Sequence, residues 1–218
     1  MNRVGAVFAG GVRPLPPEGH PSGIVKAPVA GPVLLGPEGL AGDAQADRRV
    51  HGGPDKALHH YPAEHYAAWA AAWPQCAAQF VPGSLGENVS TTGWTEENVC
   101  VGDVFRIGAA RVQVTEPRSP CWKINHRYGL ENALQFVAER GLTGWYCRVL
   151  EPGCIAAGDA FELIGRNADP VTLKRLWQVT RSHRPAAEEL SRLAWTPGLS
   201  ESWADKLRAR LEWLRQNP

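Results

Sequence analysis

The sequence lacks any apolar run near the roughly 20 residues that a membrane-spanning helix needs. Its opening stretch, MNRVGAVFAGGVRPLPPEG, has only a short apolar segment, broken by glycine and followed by proline, so it offers no signal-peptide core. These absences predict a soluble, unexported, cytoplasmic chain with no membrane partner. Paired cysteine spacing is also missing. The five cysteines are odd in number and none has C-x-x-C spacing, which excludes a disulfide framework and a zinc ribbon. His59, His60 and His65 lie close together, but the H-E-x-x-H pattern is absent and Pro62 interrupts any helix, which argues against a zinc site. Strong charge of either sign is lacking too: the formal net charge of +1 gives the whole chain no polyanion-binding signature. No flavin, haem or iron–sulfur motif is present, so any redox chemistry must draw its electrons from outside the chain.

What is present reads as an ordinary globular protein, with 44% hydrophobic and 21% charged residues in 218 positions. Gly and Pro punctuate short apolar runs up to about residue 165, which predicts strands and turns. Val101, Asp103, Phe105 and Ile107 alternate before Gly108, and Val112 and Val114 resume the alternation, predicting a hairpin. Trp145 to Leu150 reads as another strand. The segment Gly102-Asp103-Val104-Phe105 is echoed by Gly158-Asp159-Ala160-Phe161, fitting two similarly built strand entries in one closed sheet. Helices are predicted over Ala63–Ala72, with Pro62 in the first turn, and over Leu130–Arg140. Near Asp169 the character changes. Asp169-Pro170 reads as a helix start, Pro185–Ala194 as a second helix, and Ser200 as the cap of a third. Residues 170–218 hold nine Lys/Arg and five Asp/Glu, a mildly basic tail carrying four of the nine tryptophans. Such a tail offers a homodimer interface; a nucleic-acid footprint is the weaker reading.

Three segments carry more polar density than packing requires. In the first, Asp43 leads to His51-Gly52-Gly53-Pro54-Asp55-Lys56 and then His59-His60, combining glycines that let backbone approach a ligand with charged and imidazole side chains. The second, Gly86-Glu87-Asn88, offers a carboxylate and an amide before a strand, a weak signal alone. In the third, Glu116-Pro117-Arg118-Ser119-Pro120-Cys121-Trp122-Lys123, two prolines fix the backbone around Arg118 and Ser119. Cys121 sits beside the cations Arg118 and Lys123, which favour a thiolate. Such a sulfur suits a nucleophile or a ligand for a thiophilic metal held in an anionic cofactor, and spacing alone leaves both open. Cys76, Cys100, Cys147 and Cys154 read as small buried hydrophobes.

The ordered set of these motifs resembles the MOSC domain family, and within it the hydroxylaminopurine-resistance subgroup, over nearly the whole chain. The resemblance implies a mainly β (α+β) fold. Residues 1–168 would form a closed β-barrel with a few helices, and residues 169–218 a small three-helix domain. It implies binding of molybdenum cofactor (molybdopterin, a pterin dithiolene with a terminal phosphate), with Cys121 as the metal ligand and Lys26 and His60 lining the pocket. The implied activity is reduction of N-hydroxylated bases to amines, a detoxification, with a separate flavin reductase as electron donor. His60, or His59 in its place, would supply a proton or hydrogen bond; Lys26, Arg118 and Lys123 would meet phosphate or oxo groups; Asp43, His51 and Asp55 would shape the pocket. A cofactor carrier without turnover is the alternative expectation.

Overall fold

Alternating apolar residues between Gly and Pro turns do form strands, but the resulting sheet is open. The computed structural model describes residues 2–217. Thirteen short strands appear among them: β1 (Val4–Ala9), β2 (Arg13–Leu15), β3 (His20–Ser22), β4 (Ala27–Pro28), β5 (Val33–Gly36), β6 (Gly39–Leu40), β7 (Leu58–Pro62), β8 (Val89–Thr91), β9 (Val104–Ile107), β10 (Ala110–Pro117), β11 (Trp145–Glu151), β12 (Gly153–Ile155) and β13 (Phe161–Gly165). Helices α1 (Arg48–His51), α2 (His65–Ala72), α3 (Lys123–Tyr128) and α4 (Ala133–Arg140) lie between strands, and α5 (Leu173–Arg181), α6 (Ala187–Ala194) and α7 (Glu201–Gln216) follow them. None of these helices is long and apolar enough to cross a membrane.

Eight strands make one mixed sheet in the order β13-β9-β10-β11-β7-β8-β1-β4, antiparallel throughout except for the β7–β8 pair. The expected closed barrel is therefore corrected. Among the described residues, the backbones of the two flanks of the sheet meet at an isolated Arg3–Ala160 bridge and its neighbouring bonds, not along a strand ladder. Closure would need paired strands where the chain has only the short lead-ins to β1 and β13. The internal echo has a clear structural meaning. Asp103 accepts from the Cys100 amide and Asp159 from the Ala156 amide, both at 2.8 Å, so each Gly-Asp turn launches a strand the same way. Those strands, β9 and β13, pair with each other, and Phe105 and Phe161 touch at 4.7 Å between ring centroids.

The separate three-helix domain is corrected as well. Leu173, Leu176, Trp177, Leu190, Leu193, Trp203 and Leu207 belong to the same apolar cluster as Val101, Phe105, Val112 and Val114 of the sheet side. The Trp177 indole N–H donates to the Ala138 carbonyl at 2.8 Å, and the Ser200 amide to the Thr115 carbonyl at 3.1 Å. Helix α5 is capped by Thr172, whose side chain accepts from Arg175 N, instead of by Asp169; Ser200 caps α7. The stripes read as helix-to-helix contacts thus also cover the sheet. Pro62 likewise lies in β7, paired with Thr91, and does not open α2. A second apolar cluster, including Trp69, Phe80, Leu85, Ile124 and Tyr128, packs under α2, α3 and α4.

His60 belongs to the interior. It is fully buried, stacks on Trp145 with ring centroids 4.0 Å apart, and its Nε2 lies 2.8 Å from the Thr91 hydroxyl. Burial, and secondarily nearby His65, push its pKa down from 6.5 to about 3.

A shared core makes one cooperative unit. Calorimetry is expected to show a single transition, and Trp177→Ala to destabilise the whole chain by about 3–5 kcal/mol; a separate transition for the C-terminal helices would contradict the shared core. The buried neutral His60 adds a pH dependence. Between its ordinary pKa of 6.5 and its folded value of about 3, the unfolded chain binds the extra proton. That contribution is complete above the ordinary value and is lost as pH falls through this window. Denaturant melts at pH 7 and 5 are expected to show a smaller acid loss in His60→Gln; equal losses would assign the effect elsewhere.

Candidate functional site

A cleft of about 590 Å³, open mouth included, lies where the motif segments converge. Its walls include Ser22, Gly23, Lys26, Asp43, Gln45, His51, Lys56, His59, Gly86, Asn88, Arg118, Cys121, Lys123 and Tyr146. Two glycines allow the walls to meet: a Cβ on Gly23 would sit 2.2 Å from the Ala44 carbonyl oxygen, and Gly86 has φ +80° against Ile24.

Strand register explains which histidine faces the cleft. His59 pairs across the strands with Tyr146, and His60 with Trp145. Successive side chains on a strand point to opposite faces, so only one histidine of the pair can line the cleft, and it is His59. The His59 Nδ1 lies 3.2 Å from the Gly86 carbonyl oxygen and must carry the hydrogen; the buried Nε2 has no partner. Burial, then Arg118, hold the His59 pKa well below the ordinary imidazole value. Asn88 fixes this strand: its Oδ1 accepts from His59 N at 3.0 Å and its Nδ2 donates to Asp43 at 2.9 Å and to Phe8 O at 3.2 Å.

Asp43 also accepts from Gly10 N at 2.9 Å and from Gln45 at 3.3 Å, and forms an ion pair with Lys26 whose side chains are 2% and 5% exposed. The Lys26 pKa is lowered, chiefly by burial and against the pull of Asp43.

Strand β10 ends at Pro117 and releases Arg118 into the cleft, after a register shift against β11 between Val114 and Glu116 that re-aims the chain. Arg118 is only 7% exposed, its amide donates to the Gly144 carbonyl at 3.1 Å, and among the described residues its guanidinium forms no ion pair with a carboxylate. Lys123 donates to the Pro21 carbonyl at 2.6 Å, and Lys56 to the Val50 carbonyl at 2.7 Å, with the Glu116 carboxylate 3.5 Å from its Nζ. Lys26, Lys56, Arg118 and Lys123 thus line the cleft against the single carboxylate of Asp43. Their convergence is felt at His51, which burial and then Arg118, Lys56 and Lys123 bring down to a pKa of about 4. Cys121, half-buried at the head of α3, is held because Ile124 and Tyr128 of that helix anchor in the second core.

Of the residues expected at a ligand site, Lys26, His51, Asn88, Arg118, Cys121 and Lys123 come together here, and His60 does not. Gly52 and Gly53 form the turn after α1, outside the lining. Asp55 is a strut: its carboxylate accepts from Arg148 Nε at 2.8 Å and its carbonyl from the Thr115 hydroxyl at 2.7 Å, fixing the loop that carries Lys56. Ser119 is exposed on the connection to Cys121. The reading of the motifs passed over Lys56, Gln45 and Tyr146. Lys56 stood within the first motif, and Tyr146 follows from its pairing with His59; nothing local marked Gln45.

Comparison with known proteins gives the family. The MOSC domain model matches residues 47–162. YiiM of Escherichia coli is 43% identical over 194 residues, 89% of this chain and 86% of that protein. A Gibberella moniliformis protein named Reductase is 34% identical over 87% of this chain, which spans only 34% of that longer protein. The crystal structure of YiiM from Geobacillus stearothermophilus superposes with a TM-score of 0.82 at 30% identity, covering 97% of this chain and 100% of that one. By its sequence and its fold, the chain belongs to the MOSC domain family.

Proposed function

We propose that the cleft holds molybdenum cofactor, with the Cys121 sulfur as the protein's ligand to the metal, and that the chain reduces N-hydroxylated compounds to amines. The observation that carries this is the union of one sulfur and four cations in a single cleft, where Asp43 answers Lys26 and Glu116 answers Lys56 but, among the described residues, no carboxylate pairs with Arg118 or Lys123. A buried guanidinium without a counter-ion is costly, and an anionic ligand removes that cost. The group fits by two tests. The terminal phosphate would find Arg118, Lys56 and Lys123. Among the described residues no three His, Cys, Asp or Glu side chains gather to hold a bare metal ion, so a metal here would bring its other ligands with it.

When bound, the cofactor supplies a metal that passes two electrons to the substrate. The overall change takes R–NH–OH, two electrons and two protons to R–NH₂ and water. The chain's own residues bind, orient and move protons. His51 and His59 are neutral near pH 7 and serve as hydrogen-bonding walls. Lys26 is the better acid, since burial lowers its pKa, the direction that strengthens an ammonium as proton donor. The electrons come from a separate flavin reductase. The fungal relative named Reductase, with about two thirds of its length outside the match, supports the link to reduction.

Protein made in a host that supplies the cofactor is expected to carry near-stoichiometric molybdenum by elemental mass spectrometry. Cys121→Ala is expected to lose it, and Arg118→Met, which keeps volume and removes charge, to carry less. Full metal in Cys121→Ala would remove the sulfur from its role. With a chemical reductant, wild-type protein is expected to convert 6-N-hydroxylaminopurine to adenine; metal binding without turnover would leave a carrier.

A further inference from the structure

Behind the cleft wall at Arg118 lies a buried pair of polar side chains that does not line the cleft itself. Glu96, in the loop between β8 and β9, is 4% exposed, and His65, the first residue of α2, is 8% exposed. The His65 Nε2 lies 2.7 Å from one oxygen of the Glu96 carboxylate. The other oxygen accepts from the Gly144 amide at 2.6 Å and lies 3.5 Å from the Thr143 hydroxyl. The Gly144 carbonyl in turn accepts from the Arg118 amide at 3.1 Å and from the Thr143 hydroxyl at 2.8 Å. On its other side Gly144 presses on β7, where a Cβ would meet the His60 carbonyl oxygen at 2.4 Å. The Glu96 loop is itself braced by the tail: the Lys174 amide, in the first turn of α5, donates to the Glu96 carbonyl at 2.8 Å.

Strand β10 ends at Pro117, which has no N–H to give, so the Arg118 amide supplies the next backbone bond on that side, and Gly144 receives it. The Gly144 peptide is buried and needs partners at both ends. Arg118 satisfies its carbonyl and Glu96 its N–H. A carboxylate set directly against Arg118 would neutralise it. Here the carboxylate grips the peptide beside Arg118 and takes His65 as its own partner, and among the described residues the guanidinium pairs with no carboxylate. We propose that Glu96, backed by His65, is a positioning residue: by holding the Gly144 peptide it sets where the Arg118 guanidinium meets an anionic ligand of the cleft. This rests on the reading of Arg118 as an anion-binding group and adds the residues that place it.

Glu96→Ala alone would strand a buried imidazole, so the decisive variant is the double change His65→Leu with Glu96→Met. Apolar residues of similar volume are often tolerated in place of a buried ion pair, but they leave the Gly144 amide without its acceptor. Amide hydrogen exchange followed by NMR reads the backbone, and elemental mass spectrometry reads molybdenum in protein made in a host that supplies the cofactor. The double variant is expected to fold and to exchange its Gly144 and Arg118 amides about tenfold faster, with the ladder amides of β10 and β11 unchanged. It is expected to carry less molybdenum, as Arg118→Met does. Glu96→Gln, whose amide oxygen still accepts from Gly144, is expected to keep both properties near wild type. Failure of the double variant to fold, unchanged exchange at Arg118, or full molybdenum in that variant would each overturn the proposal. Molybdenum missing from wild type would instead defeat the reading of the cleft, and exchange at Arg118 then decides the Glu96 link by itself.

Discussion

One buried carboxylate holds the cleft together. Asp43 gathers the backbone of Gly10, the ammonium of Lys26, and the amides of Gln45 and Asn88. Asn88 in turn binds His59 and Phe8. Segments far apart in the chain are thereby fixed around a single charge. A carboxylate so deeply buried is tolerable only with several donors, and each donor depends on the carboxylate in the same way. The Asp43 loop carries Ala44 and Gln45 to one wall, and the contact of Gly23 with Ala44 closes it.

The cleft is asymmetric in charge, and this adds to what burial already does to its histidines. Arg118, Lys56 and Lys123 all oppose protonation of His51, and Arg118 and Lys26 oppose that of His59. An anion among the same cations acts in the opposite sense on both rings. Charge recognition and protonation at this site are thus linked: what fills the cleft also decides how readily its imidazoles take up hydrogen.

Local signals in the sequence were legible where local physics decides. Ser200 caps its helix, the Gly-Asp echo marks two strand entries, and Trp145 to Leu150 lies in a strand, as expected. The prolines around Arg118, with Cys121 between two cations, pointed to the segment that enters the cleft. Long-range outcomes were not legible. Whether a sheet closes depends on its first and last strands meeting, which no local pattern encodes. The helical stripes of the tail look the same whether they face one another or also cover a sheet. Two adjacent histidines on a strand must face opposite sides, but the sequence does not give the phase; pairing with Tyr146 and Trp145 sets it. Lys56 was visible as a residue of the motif, while its reach into the cleft depends on Asp55 bracing against Arg148 and Thr115.

The contact between the last helix and β10 has a further consequence. Glu116 is buried, two residues before Arg118, and its carboxylate is shared between Lys56 on the cleft side and the hydroxyl of Ser200, the cap of α7, on the other. A shortened chain ending near residue 168 would strand this carboxylate without its hydroxyl partner and uncover the apolar residues beneath the helices. The cleft-bearing portion and the tail are therefore not interchangeable parts: the segment that looks most detachable in sequence is wired to the wall of the cleft, and swapping tails between relatives would have to carry position 116 along with them.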